Sequence, residues 1–317
     1  MTGNPGRAGL RNVSASVYAK LRNHARAKGL DTQTVLARYV QERLLHRLSV
    51  SEEAENFCLK GGLLIAAYNN GDLLRPTEDI DFNGFDEDGS VARIKDAMRC
   101  VLATDVEDDG VIFDISSMRV VKSRDDGVIP GGKVLVHAVV HTARVDLKID
   151  VGFGNVITPG VSPVEFPSLL DGTAPRPLIK AYPLETTIAE KLHAMAQFGY
   201  ENTRLKDHFD ILILSRIRRF DGAVLAQAIE RTFERQGRPI PETLEGLSET
   251  YAEEHSFAWS QFIRRVAPGF DMNFSAVIRE IRALVDPVMA AARGDAEPPG
   301  VWEPGHGWPD LICVPSP

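Results

Sequence analysis

The sequence predicts an α/β domain reaching to about residue 180, followed by an all-helical domain. Two observations carry this prediction. Helical and extended periods alternate through the first 151 residues, ending in two Val-rich runs at 133–142 and 144–151. From Leu184 onward the apolar residues recur almost without interruption at helical spacing. With 317 residues, two domains are expected. The boundaries read as basic N-terminal helices at 1–50 packing on the core, an α/β domain at 51–180, a helical domain at 181–292 and a Pro/Gly-rich tail at 293–317.

Taken in order, Val17, Leu21 and Ala25 recur at four-residue intervals, and Gly29 stops the first helix. Asp31 or Thr32 caps a second, in which Val35, Leu36, Tyr39, Val40, Leu44 and Leu45 form one apolar stripe. Arg38, Arg43 and Arg47 are assigned to its far, polar side. This pair is expected to pack against the segment that follows rather than to read DNA. Phe57 to Lys60 reads as extended. Gly61-Gly62 opens a short helix running to Tyr68, and Asn69-Asn70-Gly71 ends it. Residues 78–83 read as a strand and 90–103 as a helix turning Val91, Ile94, Met98 and Leu102 inward. Strands follow at 111–122, 133–142 and 144–151. The Gly- and Pro-rich segment 152–183 reads as a long connector, and helices follow at about 184–197, 204–219, 221–235, 256–267 and 274–292. The tail from Gly294 has no period and is expected to be extended or mobile.

Composition excludes several classes. Apolar residues at 44% and charged residues at 25% rule out a wholly disordered or low-complexity chain. No run approaches the roughly 18 apolar residues of a membrane span. The N-terminus has no secretion-type apolar core, and Cys58, Cys100 and Cys313 form neither a disulfide framework nor a metal knuckle, so a reducing, cytoplasmic setting is expected. A net charge of -8 argues against indiscriminate coating of nucleic acid. The charge is unevenly spread. Residues 1–47 hold nine Lys/Arg against two acids, residues 48–126 hold eight against eighteen, and residues 203–240 hold eight against five. On charge alone solvated helix faces are the commoner explanation of such blocks; a cation site flanked by surfaces that attract an anionic substrate is the alternative.

The chemistry concentrates at Asp79-Ile80-Asp81. Alternate residues on a strand leave the same face, so the two carboxylates stand side by side. At an effective dielectric near 20 and about 4 Å, such a pair repels by about 4 kcal/mol, and a cation between them removes that penalty. Ligands that are all oxygen suit Mg²⁺, or Mn²⁺, rather than zinc. An isolated Asp-x-Asp is more commonly a solvent-facing edge pair. Its company matters here: Asp146 and Asp150 share one face of another strand, and Asp150 lies just before Gly152 and Gly154, where a turn brings it toward the pair. Gly61-Gly62 at a helix start allows phosphate oxygens close to free backbone N–H groups. The late residues are weaker on spacing alone. Lys191 reads equally as a surface lysine with its stem over the core, and Asp207 and Asp210 as helix salt-bridge partners. His137 and His141 lie on a strand with no third ligand near, so no zinc site is assigned there.

Leu59-Lys60-Gly61-Gly62 followed by Arg75-Pro76-Thr77-Glu78-Asp79-Ile80-Asp81 resembles the nucleotidyltransferase motif of the polymerase-β-like superfamily, and more narrowly the AbiEii toxins of type IV toxin–antitoxin systems. Asp150-Val151-Gly152-Phe153-Gly154, Tyr182-Pro183-Leu184-Glu185-Thr186 with Ala189-Glu190-Lys191-Leu192, and Lys206-Asp207-His208-Phe209-Asp210-Ile211 extend the resemblance over about residues 13–267. Gly-Gly stands where many superfamily members have Gly-Ser, which removes one hydroxyl contact and keeps the backbone donors.

The resemblance implies a polymerase-β-like domain with a mixed sheet and a helical domain closing the cleft. Asp79, Asp81 and Asp150 would be metal ligands, Asp150 alternatively taking the acceptor's proton. Lys60, Gly61, Gly62, Thr77, Lys191 and Lys206 would contact the nucleotide, and Asp207 and Asp210 would complete the catalytic set. The implied activity is Mg²⁺-dependent transfer of a nucleoside monophosphate from an NTP to RNA, foremost the tRNA 3′ end, blocking translation and growth. A cognate antitoxin is implied as a partner. The basic N-terminal helices and Arg216, Arg218 and Arg219 are assigned to the RNA backbone. Two alternatives stand beside this: transfer to a small molecule or protein hydroxyl, and an inactive protein that keeps the fold for binding.

Overall fold

The computed structural model describes residues 12–69, 75–123, 131–201 and 203–309. The expected helix-ending Asn70 and Gly71, Cys313 and the last residues of the tail lie outside these. Two compact units are present. The first comprises Met1–Phe57, Glu78–Phe153 and Val164–Ile179; the second comprises Cys58–Thr77, Gly154–Pro163 and Lys180–Pro317.

The elements are α1 (Val13–Lys28), α2 (Thr32–Val50), β1 (Phe57–Lys60), α3 (Gly61–Tyr68), β2 (Asp79–Gly84), α4 (Val91–Ala103), β3 (Val111–Lys122), β4 (Gly132–Val140), β5 (Ala143–Phe153), β6 (Ser162–Glu165) and β7 (Leu178–Ala181). There follow α5 (Leu184–Phe198), α6 (Leu205–Ile217), β8 (Phe220–Asp221), α7 (Gly222–Arg235), α8 (Glu249–Glu254), α9 (Ser256–Val266), α10 (Phe274–Arg293) and β9 (Val301–Trp302). Seven strands form one mixed sheet in the order β3-β4-β5-β2-β1-β7-β6.

In the first unit, β3, β4 and β5 run antiparallel in sequence, while β2 pairs parallel with β5 in unbroken register from Asp79↔Lys148 to Gly84↔Phe153. Period-two alternation decides the faces: Ile80, Phe82, Val134, Val136, Ile149 and Val151 are buried, while Asp79, Asp81, Lys133, Lys148 and Asp150 take the other face. Helices α1, α2 and α4 cover the apolar face. Asn12 caps α1 and Gly29 ends it in the left-handed region at φ 65°. Asp31, not Thr32, caps α2, its carboxylate accepting from Thr34 N at 2.9 Å.

The far side of α2 corrects the sequence reading. Arg38, Arg43 and Arg47 are buried, at 3%, 0% and 6% exposure. Segment 164–179 supplies much of the reason. Glu42, ion-paired to Arg43, accepts from Ser168 Oγ at 2.8 Å and Leu169 N at 2.9 Å, and Arg43 donates to the Pro175 carbonyl. Arg38 lies over the Phe166 ring at 4.1 Å. Arg47 grips Asp109 with two bonds of 2.7 and 3.2 Å. The segment expected as a plain connector therefore carries β6 and β7 and buries Phe166.

The second unit is helical around one core that includes Ile188, Leu192, Phe209, Leu225, Ile229, Trp259, Phe274 and Ile281. In it, β1 pairs parallel with β7 through Leu59↔Ala181. The short helix α8 has no counterpart among the expected elements. The tail is also corrected: residues 294–309 fold back instead of trailing. Trp302 Nε1 donates to the Ser215 carbonyl at 2.7 Å, Trp308 Nε1 to the Ala283 carbonyl at 3.1 Å, and both indoles are buried. Among the described residues no helix is long and apolar enough to cross a membrane.

Candidate active site

On the polar face of the first unit's sheet, parallel register sets Asp81 directly beside Asp150 and Asp79 beside Lys148. Asp79 and Asp81 are half-buried because Ile80 and Phe82, on the opposite face, anchor β2 in the core. Two lysines answer the acids. Lys133, the cross-strand neighbour of Asp150, lies 3.2 Å from its Oδ2, and Lys148 donates to Glu78 at 3.2 Å. The hydrogen bond to Glu78 holds the Lys148 ammonium above its ordinary value, and the fields of Asp79 and Asp150 push it the same way. Neither lysine is singled out by the sequence, although both fall on the acid-bearing face by strand alternation.

Asp79 Oδ1 is buried without a hydrogen-bond partner among the described residues. A buried acceptor left unmade costs about 1–3 kcal/mol, more if charged, so this oxygen favours a cation. Among the described residues no three His, Cys, Asp or Glu side chains are gathered as a ready-made metal cage. Mg²⁺ takes one or two carboxylates and completes its shell with water and phosphate oxygens. The residues present thus fit the ion.

In the second unit the remaining predicted residues mostly gather around one that received no role, Arg75. Its guanidinium donates to Asp210 through two bonds of 2.8 Å and reaches Thr77 Oγ1 at 3.5 Å. A Cβ on Gly62 would stand 2.8 Å from both Arg75 Nη2 and Thr77 Oγ1, which explains the glycine. Gly61, at φ 72°, makes the turn into α3. Lys191 donates to Asp207 at 2.7 Å and to Asp210 at 2.8 Å. Burial alone would lower the Lys191 ammonium, but the two carboxylates outweigh it and hold it above its usual value. Burial likewise raises Asp207 and Asp210. Lys191 outweighs it at Asp207, and Lys191 with Arg75 does so at Asp210, so both carboxyls sit below the usual range. Lys60 stands apart with Glu190 at 3.6 Å and the Tyr182 ring, and Lys206 is exposed. Spacing alone reads the two aspartates as helix salt-bridge partners; they are, but buried and shared with Lys191 and Arg75.

Of the basic residues assigned to RNA, Arg22, Arg26 and Lys28 on α1 are exposed, whereas Arg216, Arg218 and Arg219 are engaged. Arg216 pairs with Glu280 at 2.8 Å, Arg219 with Glu303 at 2.5 Å, and Arg218 lies over the Tyr68 ring at 5.0 Å. His137 accompanies Asp146 at 2.7 Å.

An Asp-x-Asp strand beside a third carboxylate on a mixed sheet, with a helical unit following, is an arrangement that suits a nucleotidyltransferase, the class to which the family match assigns the chain. Family and fold comparisons agree, and the chain belongs to the AbiEii family of nucleotidyl transferase toxins of type IV toxin–antitoxin systems, whose family model matches residues 43–285. Among solved structures, MenT4, a nucleotidyltransferase toxin from Mycobacterium tuberculosis H37Rv, is similar at 18% identity and a TM-score of 0.52, covering 87% of this chain and 99% of its own. JHP933 from Helicobacter pylori is similar at 16% identity and a TM-score of 0.46, covering 84% and 94%. At such identity the likeness to MenT4 is one of fold. No curated protein matches the chain by sequence.

Proposed function

We propose that this nucleotidyltransferase toxin transfers a nucleoside monophosphate from an NTP to RNA, with the tRNA 3′ end as the leading acceptor, in the cytoplasm. The observation that carries the chemistry is the Asp79–Asp81–Asp150 face, where Asp79 Oδ1 has no hydrogen-bond partner among the described residues. Asp79 and Asp81 would hold Mg²⁺, with Asp150 beside them; such an ion neutralises triphosphate charge and lowers the barrier at phosphorus. The acceptor hydroxyl oxygen forms a bond to the α-phosphorus, the α–β bridging P–O bond breaks, and pyrophosphate leaves. Asp150 takes the hydroxyl proton, and Lys133 steadies its charge. Gly61, Gly62, Thr77, Lys60, Lys191 and Lys206 are the proposed nucleotide contacts. Asp207 and Asp210 fix the Lys191 ammonium in one position, and holding such groups ready is the larger part of catalysis here. Blocked tRNA ends would stop translation and growth, and the family's toxin–antitoxin context supports a cognate antitoxin as partner.

The test is label transfer. Purified protein, Mg²⁺, each α-labelled NTP in turn and total RNA are incubated beside Asp79→Ala. Labelled tRNA-sized product that vanishes in the variant is expected. Label on no RNA, from a folded wild type, would move the acceptor to proteins or small molecules.

A further inference from the structure

With Arg38, Arg43 and Arg47 of α2 buried and Arg216 and Arg219 ion-paired, a cationic surface of the second unit stands out among the described residues. An open cleft of about 840 Å³ is lined by Arg204, Lys206, Gln261, Phe262, Arg264 and Arg265, and no carboxylate lines it. Lys206, Arg264 and Arg265 are exposed and make no ion pair among the described residues, whereas Arg204 approaches Asp207 at 3.7 Å. Elsewhere in this unit Arg216, Arg219, Arg282 and Arg293 each hold a carboxylate. Three such cations, Lys206, Arg264 and Arg265, gathered without an ion pair among the described residues call for an anionic occupant.

Aromatic rings accompany the cations. Phe257 is 74% exposed and lies one turn before the cleft-lining Gln261 on α9, at the edge of the cleft's own lining. Phe198 and Tyr200 are also exposed, and Arg204 lies over the Phe198 ring at 5.8 Å. Cations tracking a groove beside open ring faces are the equipment of a surface for single-stranded nucleic acid, where phosphates meet the charges and bases stack. An acidic protein segment would match the charge but leaves the rings without bases to stack on.

We infer that this cleft binds a single-stranded segment of the RNA acceptor, with Arg264 and Arg265 on phosphates and Phe257 under a base. This rests on the RNA-acceptor reading above and names the surface that serves it. Full-length wild type, R264Q/R265Q, R264E/R265E and F257A are titrated against a fluorescent single-stranded oligoribonucleotide and against tRNA at several salt concentrations, with NTP binding and circular dichroism in parallel. R264Q/R265Q should bind RNA about tenfold more weakly, and its slope of log affinity on log salt should be shallower by about 1.4, roughly 0.7 for each lost single-strand phosphate contact. F257A should weaken binding about fivefold or more, as loss of one stacked base does. NTP binding should not change, and the KM for RNA in label transfer should rise. Wild-type affinity and slope in a folded R264Q/R265Q, while wild type labels RNA, overturns the cleft assignment alone. A wild type that neither binds nor labels RNA removes the acceptor reading and this inference with it. Variants that keep RNA transfer but escape the antitoxin assign the cleft to a protein partner and overturn it.

Discussion

Replacing Lys191 by Met removes the one cation that, among the described residues, touches both Asp207 and Asp210. Asp210 keeps its two 2.8 Å bonds from Arg75, but Asp207 keeps only the half-exposed Arg204, at 3.7 Å, as its ion-pair partner. Breaking a buried pair from one side costs about 3–5 kcal/mol, and the surviving Arg75 places this case toward the lower end. The pH dependence has a defined sign. Both aspartates sit below their unfolded value in the wild type, so their contribution is present above about pH 4 and is lost as pH falls through the lower folded values. Lys191 sits above its unfolded value, so its share is whole below about pH 10 and lost above that. In K191M the Asp207 carboxyl loses its main counter-charge and burial raises it. The variant's penalty should then grow with pH from about 4, by about 1.4 kcal/mol for every tenfold weakening of that carboxyl as an acid. Urea unfolding followed by tryptophan fluorescence reads the right region, because Trp259, Trp302 and Trp308 all belong to the second unit. Adding Asp207→Asn to K191M should recover about half the loss or more. A loss under about 1 kcal/mol at pH 7, or one equal at pH 4.5 and pH 7.5, would refute the reasoning.

Three further outcomes follow from the same geometry. Gly62→Ala should destabilise by about 1–3 kcal/mol, as overpacking does, because its Cβ meets Arg75 and Thr77; thermal unfolding measures this, and Ser should be no better. Trp308→Ala should cost about 3–5 kcal/mol by the same unfolding assay read by circular dichroism, although it lies in a tail without periodicity. Arg38→Met should leave stability unchanged or raised. Burial pushes that guanidinium down to about 10, and its nitrogens have no hydrogen-bond partner among the described residues, so an apolar chain over Phe166 loses little; a loss above about 2 kcal/mol would contradict this.

What the sequence makes legible is whatever depends on local period. The acid-bearing strand begins within a residue of its expected start, and α4 turns Ile94, Met98 and Leu102 inward as their spacing requires. The side-by-side carboxylates of Asp79 and Asp81 are a consequence of alternation and need no tertiary knowledge. What fails depends on distant chain. No periodicity in α2 announces that Ser168, Leu169 and Pro175, more than 120 residues onward, will cover its arginines, so charge alone places them at the surface. The same holds for the tail, whose two tryptophans dock through hydrogen bonds to helix carbonyls. Arg75 escapes because its partner, Asp210, is 135 residues away.

The chemistry proposed for this toxin requires that the Asp79–Asp81–Asp150 face bind a divalent ion. Mn²⁺ titration followed by electron paramagnetic resonance, with and without NTP, on folded wild type, Asp79→Asn, Asp81→Asn and Asp150→Asn measures it directly. Binding by the wild type that tightens with NTP, and falls at least about a hundredfold in the Asp79 and Asp81 variants, is the predicted result, since even outer-shell losses cost about 10–100-fold. Undiminished Mn²⁺ binding in those two variants would contradict the assignment of the site.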